Sequence, residues 1–362
     1  MRYKVHLLAL AGFLAVAQIA QSQPVPTGLP AAAAPTSIHG KILASIVAGD
    51  VELTPKSGMP HKLIRGEQFE EGAVLRAMPG GSALLVFSNG ATIKITENAQ
   101  LMVTRYQQEA FDEKTEGSFL RLNKDPGKSI TQLDLRNGTL VGEVKQLNIA
   151  RGSNFTVDTP AGSVGIRGTI LSLSVIRNAA GQVTGIIANC MIGSVVFIPT
   201  AVVTVTNAAG AKVTTATNGN PDVEVRTGSQ MQLSVTVDPV TGAITGGGVV
   251  GANLGVNATN SLIQALYDTV NAARQLTGQP ISPPQQVTAA DITTTVVINN
   301  GSGQLQAVPT TTSSITVLPR VPDLPSPLLD PPELPYPSGD LYPVSTYDLQ
   351  PINSNPSNAS VD

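Results

Sequence analysis

From Lys41 to Val250, short runs of β-forming residues recur at about ten-residue spacing, with Gly, Asn or Pro between them. Ala83–Ser88 and Ala91–Ile95 flank Asn89-Gly90, and Ile93 and Ile95 alternate with Thr92 and Lys94. Asn-Gly readily supplies two positive-φ residues, so this pair predicts a type I′ hairpin. A second pair, Asn137-Gly138, lies between Leu133–Leu135 and Thr139–Val144 and predicts another hairpin. Ala201–Thr206 and Ala211–Thr215 read as a third, and Val223–Val225 and Met231–Val237 continue the series. Such a chain folds as an all-β domain, either a twisted sandwich or a β-roll or solenoid-like stack.

The flanks of this β region differ from it. Arg2 and Lys4 precede an unbroken apolar run from Leu7 to Ala17, and Ala20-Gln21-Ser22 follows. This reads as a secretory signal over residues 1–22, cleaved after Ser22. The run is too short to span a bilayer, which takes ~20 residues. Residues 23–40 form a Pro/Ala-rich leader, 41–200 the first β domain and 201–250 a Thr/Val-rich β extension. Within 251–280, Leu262, Ile263, Leu266, Tyr267, Val270 and Ala273 share one helical face. Asn260 or Ser261 is expected to cap that helix, with Gly278 and Pro280 ending it. A short β-like segment is expected within 281–318, and the Pro-rich tail 319–362 cannot bury a core. Export places the mature chain in the periplasm or outside the cell, with no membrane span once the signal is removed.

Composition narrows the chemistry. Charged residues are 13% of the chain and the formal net charge is -3, which gives no electrostatic footprint for nucleic acid. Cys190 is the single cysteine, so no intramolecular disulfide can form, and its apolar neighbours predict a buried, inert thiol. His39 and His61 are too far apart in sequence to suggest joint metal ligation, so no metal or other cofactor is expected. No G-x-S-x-G elbow is present. Glu67, Glu70, Glu71, Asp112, Glu113 and Glu116 cluster in the charged part, as solvated loop carboxylates do. These features together predict a protein that is not an enzyme.

The segment "TPAGSVGIRGT", Thr159 to Thr169, concentrates the remaining signal. Gly162, Gly165 and Gly168 are spaced G-x-x-G-x-x-G, unlike the dinucleotide fingerprint, and they lead into a β-branched run instead of a helix. A phosphate loop also needs a lysine followed by Ser or Thr, and this segment has none. Pro160 should end one strand. Val164 and Ile166 then share a face, whereas beyond Gly168 the apolar positions are Leu171, Leu173 and Val175. That one-residue change of phase predicts a β-bulge at Gly168. Thr159, Pro160, Gly162, Gly165, Arg167, Gly168 and Thr169 therefore form a structural motif. Arg167 is either held there, with Asp158 as candidate partner, or free to bind an anionic ligand.

These residues resemble a known family. "NFTVDTPAGSVGIRGTILSLSV", Asn154 to Val175, is similar to the FecR-like signature, in which a Phe-x-Val-x-Thr-Pro run leads into Gly-Val/Ile-Arg-Gly-Thr and a strand. "VAGDVEL" from Val47, "FEEGAVLRAMPGGSALLVFSNGATIKITENAQLMV" from Phe69 and "GTLVGEV" from Gly138 fit the upstream pattern. The resemblance covers roughly residues 41 to 200. It implies a FecR-like β domain, an extracytoplasmic location, and a binding or sensing role towards an envelope protein or a ligand. The family's founding members add a cytoplasmic segment that handles a sigma factor and one membrane span. A chain opening on a cleavable signal departs from that plan, so sigma-factor control is not implied. Two other readings are a component that signals through a separate membrane partner and an adhesin-like structural protein.

Overall fold

The computed structural model describes residues 37–111, 119–201, 203–206, 212–214, 222–292, 296–299 and 305–308. The signal segment and the Pro-rich tail lie outside the described residues, as do Asp112, Glu113 and Glu116. The described residues belong to the unit ending at Pro322.

The strands form two open sheets. Sheet A runs in the order His61–Lys62, Val51–Thr54, Val74–Ala77, Gln100–Glu109, the first half of Ser129–Val144, Asn154–Thr159, Gly162–Ile166, Ser194–Pro199, Val223–Arg226, Val296–Asn299 and Leu305–Val308. Sheet B runs Gln68–Phe69, Ile42–Ala48, Ser82–Phe87, Thr92–Ile95, the second half of Ser129–Val144, Thr169–Arg177, Val183–Ile192, Ser229–Val237, Ile244–Asn253, Val203–Thr206 and Lys212–Thr214. Both sheets continue through residue 200, where the first β domain was expected to end. Alternate residues from each strand meet in one core. Leu75, Leu101, Leu133, Val157, Val164 and Val225 come from sheet A, and Leu85, Ile93, Leu140, Leu173, Ile186 and Leu233 from sheet B. Phe87 of sheet B stacks edge-on against Tyr106 and Phe155 of sheet A, with ring centroids 5.2 and 6.1 Å apart. Cys190 is fully buried in this core, and its burial pushes the thiol pKa far above its usual value.

Asn137-Gly138 is not a hairpin. Leu133–Leu135 and Thr139–Val144 belong to the same strand, which pairs with Gln100–Glu109 before Gly138 and with Thr92–Ile95 after it. Gly138 has φ +75°, and the strand passes there from sheet A to sheet B. The positive φ that sequence reads as a turn is spent on this crossing. Asn137 steadies it by donating from Nδ2 to the carbonyl of Asn98 at 2.7 Å.

The hairpin at Asn89-Gly90 does form, but not as type I′. Gly90 has φ +87°, whereas Asn98 is the sole described non-glycine residue with positive φ. Gly90 N–H donates to Phe87 O and Phe87 N–H to Ala91 O, which gives a three-residue loop. Asn89 is drawn inward instead. Its Oδ1 accepts from Ala91 N–H at 3.1 Å, and its Nδ2 donates to Ser129 and Thr131 at 3.3 and 3.4 Å.

That asparagine joins a polar cluster inside the sandwich. The Tyr106 hydroxyl meets Ser88 Oγ at 2.9 Å, donates to Gln108 Oε1 at 3.2 Å and accepts from Asn89 N–H at 2.9 Å. Asp125 Oδ2 accepts from Ser129 Oγ at 2.6 Å and from Ser153 Oγ at 2.9 Å. Burial raises the Asp125 pKa above its ordinary value, and the nearby Glu109 charge adds to this, against the opposing pull of the serine hydroxyls. The folded state therefore holds this proton more tightly than the unfolded state does. The associated stability is fully present below the unfolded pKa and is lost as pH rises through the raised folded value. Asp125→Asn should remove that component. Urea unfolding of wild type and variant between about pH 7 and about pH 4 should show a pH slope in their difference; parallel curves would sink this assignment.

One α-helix, Gly255–Leu276, is present among the described residues. Ile263, Leu266, Tyr267, Val270 and Ala273 pack on Leu84, Val86, Val141, Ile170 and Met191, on the outer face of sheet B. The inward face is the one expected from periodicity, and the helix ends before Gly278 as expected. Its start lies before the expected caps, at Gly255, whose N–H donates to Asn253 Oδ1 at 2.7 Å. Asn260 instead bridges to Val287, donating to its carbonyl at 3.0 Å and accepting from its N–H at 2.8 Å.

Candidate binding cleft

Thr159-Pro160-Ala161-Gly162 turns one sheet A strand into the next. Thr159 Oγ1 donates to Gly162 O at 2.7 Å and accepts from Ala161 N–H at 3.3 Å. Phe155 then pairs with Ile166, Val157 with Val164 and Thr156 with Gly165. At Arg167-Gly168 the chain leaves sheet A and enters sheet B as Thr169–Arg177. The expected bulge within one strand is thus a corner between sheets. The apolar phase changes because the core lies on the opposite side of the new strand. Gly168 has φ +62°, and the corner is fastened by Thr169 Oγ1, which donates to Ser194 O at 2.8 Å. The next corners join the same seam, with Gly193 N–H donating to Thr227 Oγ1 at 3.0 Å.

The corner forms one wall of a cleft of about 600 Å³, and the last turns of the helix form another. Lys145 and Glu143 extend from the end of the shared strand, Arg167 and Thr169 from the corner, and Tyr267 and Arg274 from the helix. Partly buried Ile192 adds apolar surface, and Ile170, buried beneath the helix, backs the lining. Lys145 Nζ lies 2.7 Å from Glu143 Oε1, and both side chains are nearly buried. Burial raises the Tyr267 hydroxyl pKa, and the Glu143 charge raises it further.

Arg167 is exposed at the cleft and forms no hydrogen bond or ion pair with any described residue. Asp158, its expected partner, accepts instead from Gln132 Nε2 at 2.7 Å and from Ser163 Oγ. Arg274 donates through Nη2 to the carbonyl of Leu120 at 2.8 Å, while its Nε is buried without a partner. Three cations therefore line the cleft with one carboxylate, which Lys145 already occupies. An unpaired exposed arginine adds little to folding, so Arg167→Ala should leave stability within about 0.5 kcal/mol of wild type. A clear fall in melting temperature would instead make Arg167 a structural residue.

The other sequence candidates do not converge. His61 Nε2 lies 2.6 Å from Glu67 Oε1, and Glu71 Oε2 accepts from Tyr106 N–H at 3.2 Å while its other oxygen faces His39 and Lys56. Sequence reading missed Glu143, Lys145, Tyr267 and Arg274 as cleft residues. Tyr267 already stood in the helix's packing stripe, but no local signal joins segments more than 100 residues apart along the chain.

Residues 73–195 match the family described as FecR protein, so the chain carries a FecR domain there. No curated protein matches the chain significantly. Two solved structures of a candidate anti-sigma factor from Parabacteroides distasonis ATCC 8503 are distantly similar. One is 10% identical with a TM-score of 0.29 over 50% of this chain and 59% of that one. The other is 11% identical with a TM-score of 0.31 over 59% of this chain and 82% of that one. This chain thus spans less than two thirds of the first of these. No helix among the described residues is long and apolar enough to cross a membrane.

Proposed function

We propose that the chain is a non-enzymatic, extracytoplasmic binding module of a FecR-type signalling system, passing its signal to a separate membrane protein. One observation carries this reading. The FecR match over 73–195 contains Glu143, Lys145, Arg167 and Thr169, which build most of the cleft's strand and corner walls. The family match is thus also where an arginine stands without a partner among the described residues. Export is supported by Arg2 and Lys4 ahead of the apolar run Leu7 to Ala17 and the small residues Ala20 and Ser22. A non-enzymatic role is supported by Glu67 and Glu71, each engaged by its own partners.

The test is photo-cross-linking in intact cells from a reactive residue placed at Asn123, an exposed position on the cleft rim. The expected adduct is an envelope protein with a membrane-embedded part, recovered with a chain that begins at Gln23. A full-length chain retained in the cytosol, or adducts with cytosolic proteins alone, would overturn the proposal.

A further inference from the structure

The chemistry of the cleft goes beyond a generic binding surface. We infer that it holds a small organic anion, with a carboxylate or phosphate group set between Arg167, Lys145 and Arg274 and an apolar body against Tyr267, Ile170 and Ile192. This rests on the binding role proposed above and gives that role a ligand class.

Three observations converge. The first is volume. About 600 Å³ lies within the range of small-molecule sites, whereas a protein partner needs a broad surface of roughly 800 Å² per side. The second is charge. Among the described residues the lining has one carboxylate, bound by Lys145 at 2.7 Å, and the Arg167 guanidinium meets no anion. The third is an unmet donor. Arg274 Nε is buried and unpartnered on the helix side. A buried N–H without an acceptor is costly, and an incoming anion would satisfy it while pairing with Arg167 across the cleft. Such a ligand would bridge two elements that belong to different parts of the chain. One is the corner, fixed to both sheets; the other is the helix, held on sheet B by apolar packing. Occupancy would therefore stiffen the helix against the corner.

The experiment is isothermal titration of the folded chain with benzoate, phenyl phosphate, benzamide and an acidic pentapeptide in parallel. Benzoate or phenyl phosphate should bind with one site per chain. Whichever binds more tightly identifies the head group, and benzamide, which lacks the charge, should bind at least tenfold more weakly. Arg167→Ala and Arg274→Gln should each weaken the anion at least tenfold, with Arg167→Lys retaining part of the affinity. The melting temperature of Arg167→Ala should not change, which separates lost binding from lost fold. Binding of the acidic peptide alone, equal binding of benzamide, no binding of either anion, or unchanged affinity in Arg167→Ala would each overturn the inference. The signalling role is tested independently. If the wild-type chain cross-links from position 123 to an envelope protein but binds neither anion, only the anion site fails. If the anion binds and no envelope protein is captured, the signalling role fails.

Discussion

Gly138→Val should unfold the protein at much lower urea than wild type, with a loss of about 4 kcal/mol. Two costs add. The residue at 138 holds φ +75°, where a non-glycine residue pays about 1–3 kcal/mol and a β-branched one sits at the top of that range. A Cβ there would also stand 2.5 Å from Ala99 Cα and 2.7 Å from Ala99 N. Both are backbone atoms that cannot rotate away, and overpacking of this kind typically costs about 1–3 kcal/mol more. Against a total stability of about 5–15 kcal/mol, this is a large fraction. Gly168→Val is the useful comparison. Its φ is +62°, but the nearest atom to a new Cβ is Gln146 Cα at 3.5 Å, which is ordinary contact. It should lose only the conformational part, about 1–3 kcal/mol. Equal midpoints for the two variants would show that the approach of Ala99 does not matter.

Phe87→Ala should be of similar size, about 3–5 kcal/mol. The ring is fully buried and makes edge-on contacts with Tyr106 and Phe155 across the two sheets. Tyr106 and Phe155, the rings on either side, belong to strands of the other sheet and are fully buried, so they have little freedom to close over the gap. The loss removes transfer energy and leaves a cavity on both sides of the sheet interface. Tyr106 would also lose the packing that holds its hydroxyl against Ser88 and Gln108. Calorimetry should show a lower melting temperature, and Phe87→Leu should recover a large share of it. A variant that melts with wild type would mean that the cavity collapses at no cost.

The strands were legible in sequence because alternation is a local signal. Ile93 and Ile95 face the core as expected, and the helix shows the face that its apolar stripe marks. What misled was the meaning of glycine. Asn137-Gly138 and Asn89-Gly90 look alike in sequence, yet one crosses between sheets and the other closes a hairpin. The difference lies in which distant strands pair with their flanks, and no residue near either pair encodes it. The same holds for Arg167. Asp158 is close in sequence but is claimed by Gln132 from a neighbouring strand. The cleft was hidden for this reason too, since Arg274 reaches it only after the helix has docked on sheet B.

The strand Ser129–Val144 lies in both sheets at once, and its partners come from both directions along the chain, at 92–109 and at 154–175. Neither sheet can therefore peel away as a separate piece. Amide hydrogens in Leu101–Val103 of one sheet and Leu171–Leu173 of the other should exchange through the same global opening, at the same rate and with the same denaturant dependence. Among the described residues this strand is the one shared by both sheets, so a chain stopped before residue 129 would hold the early strands of each layer without the strand that ties the layers together.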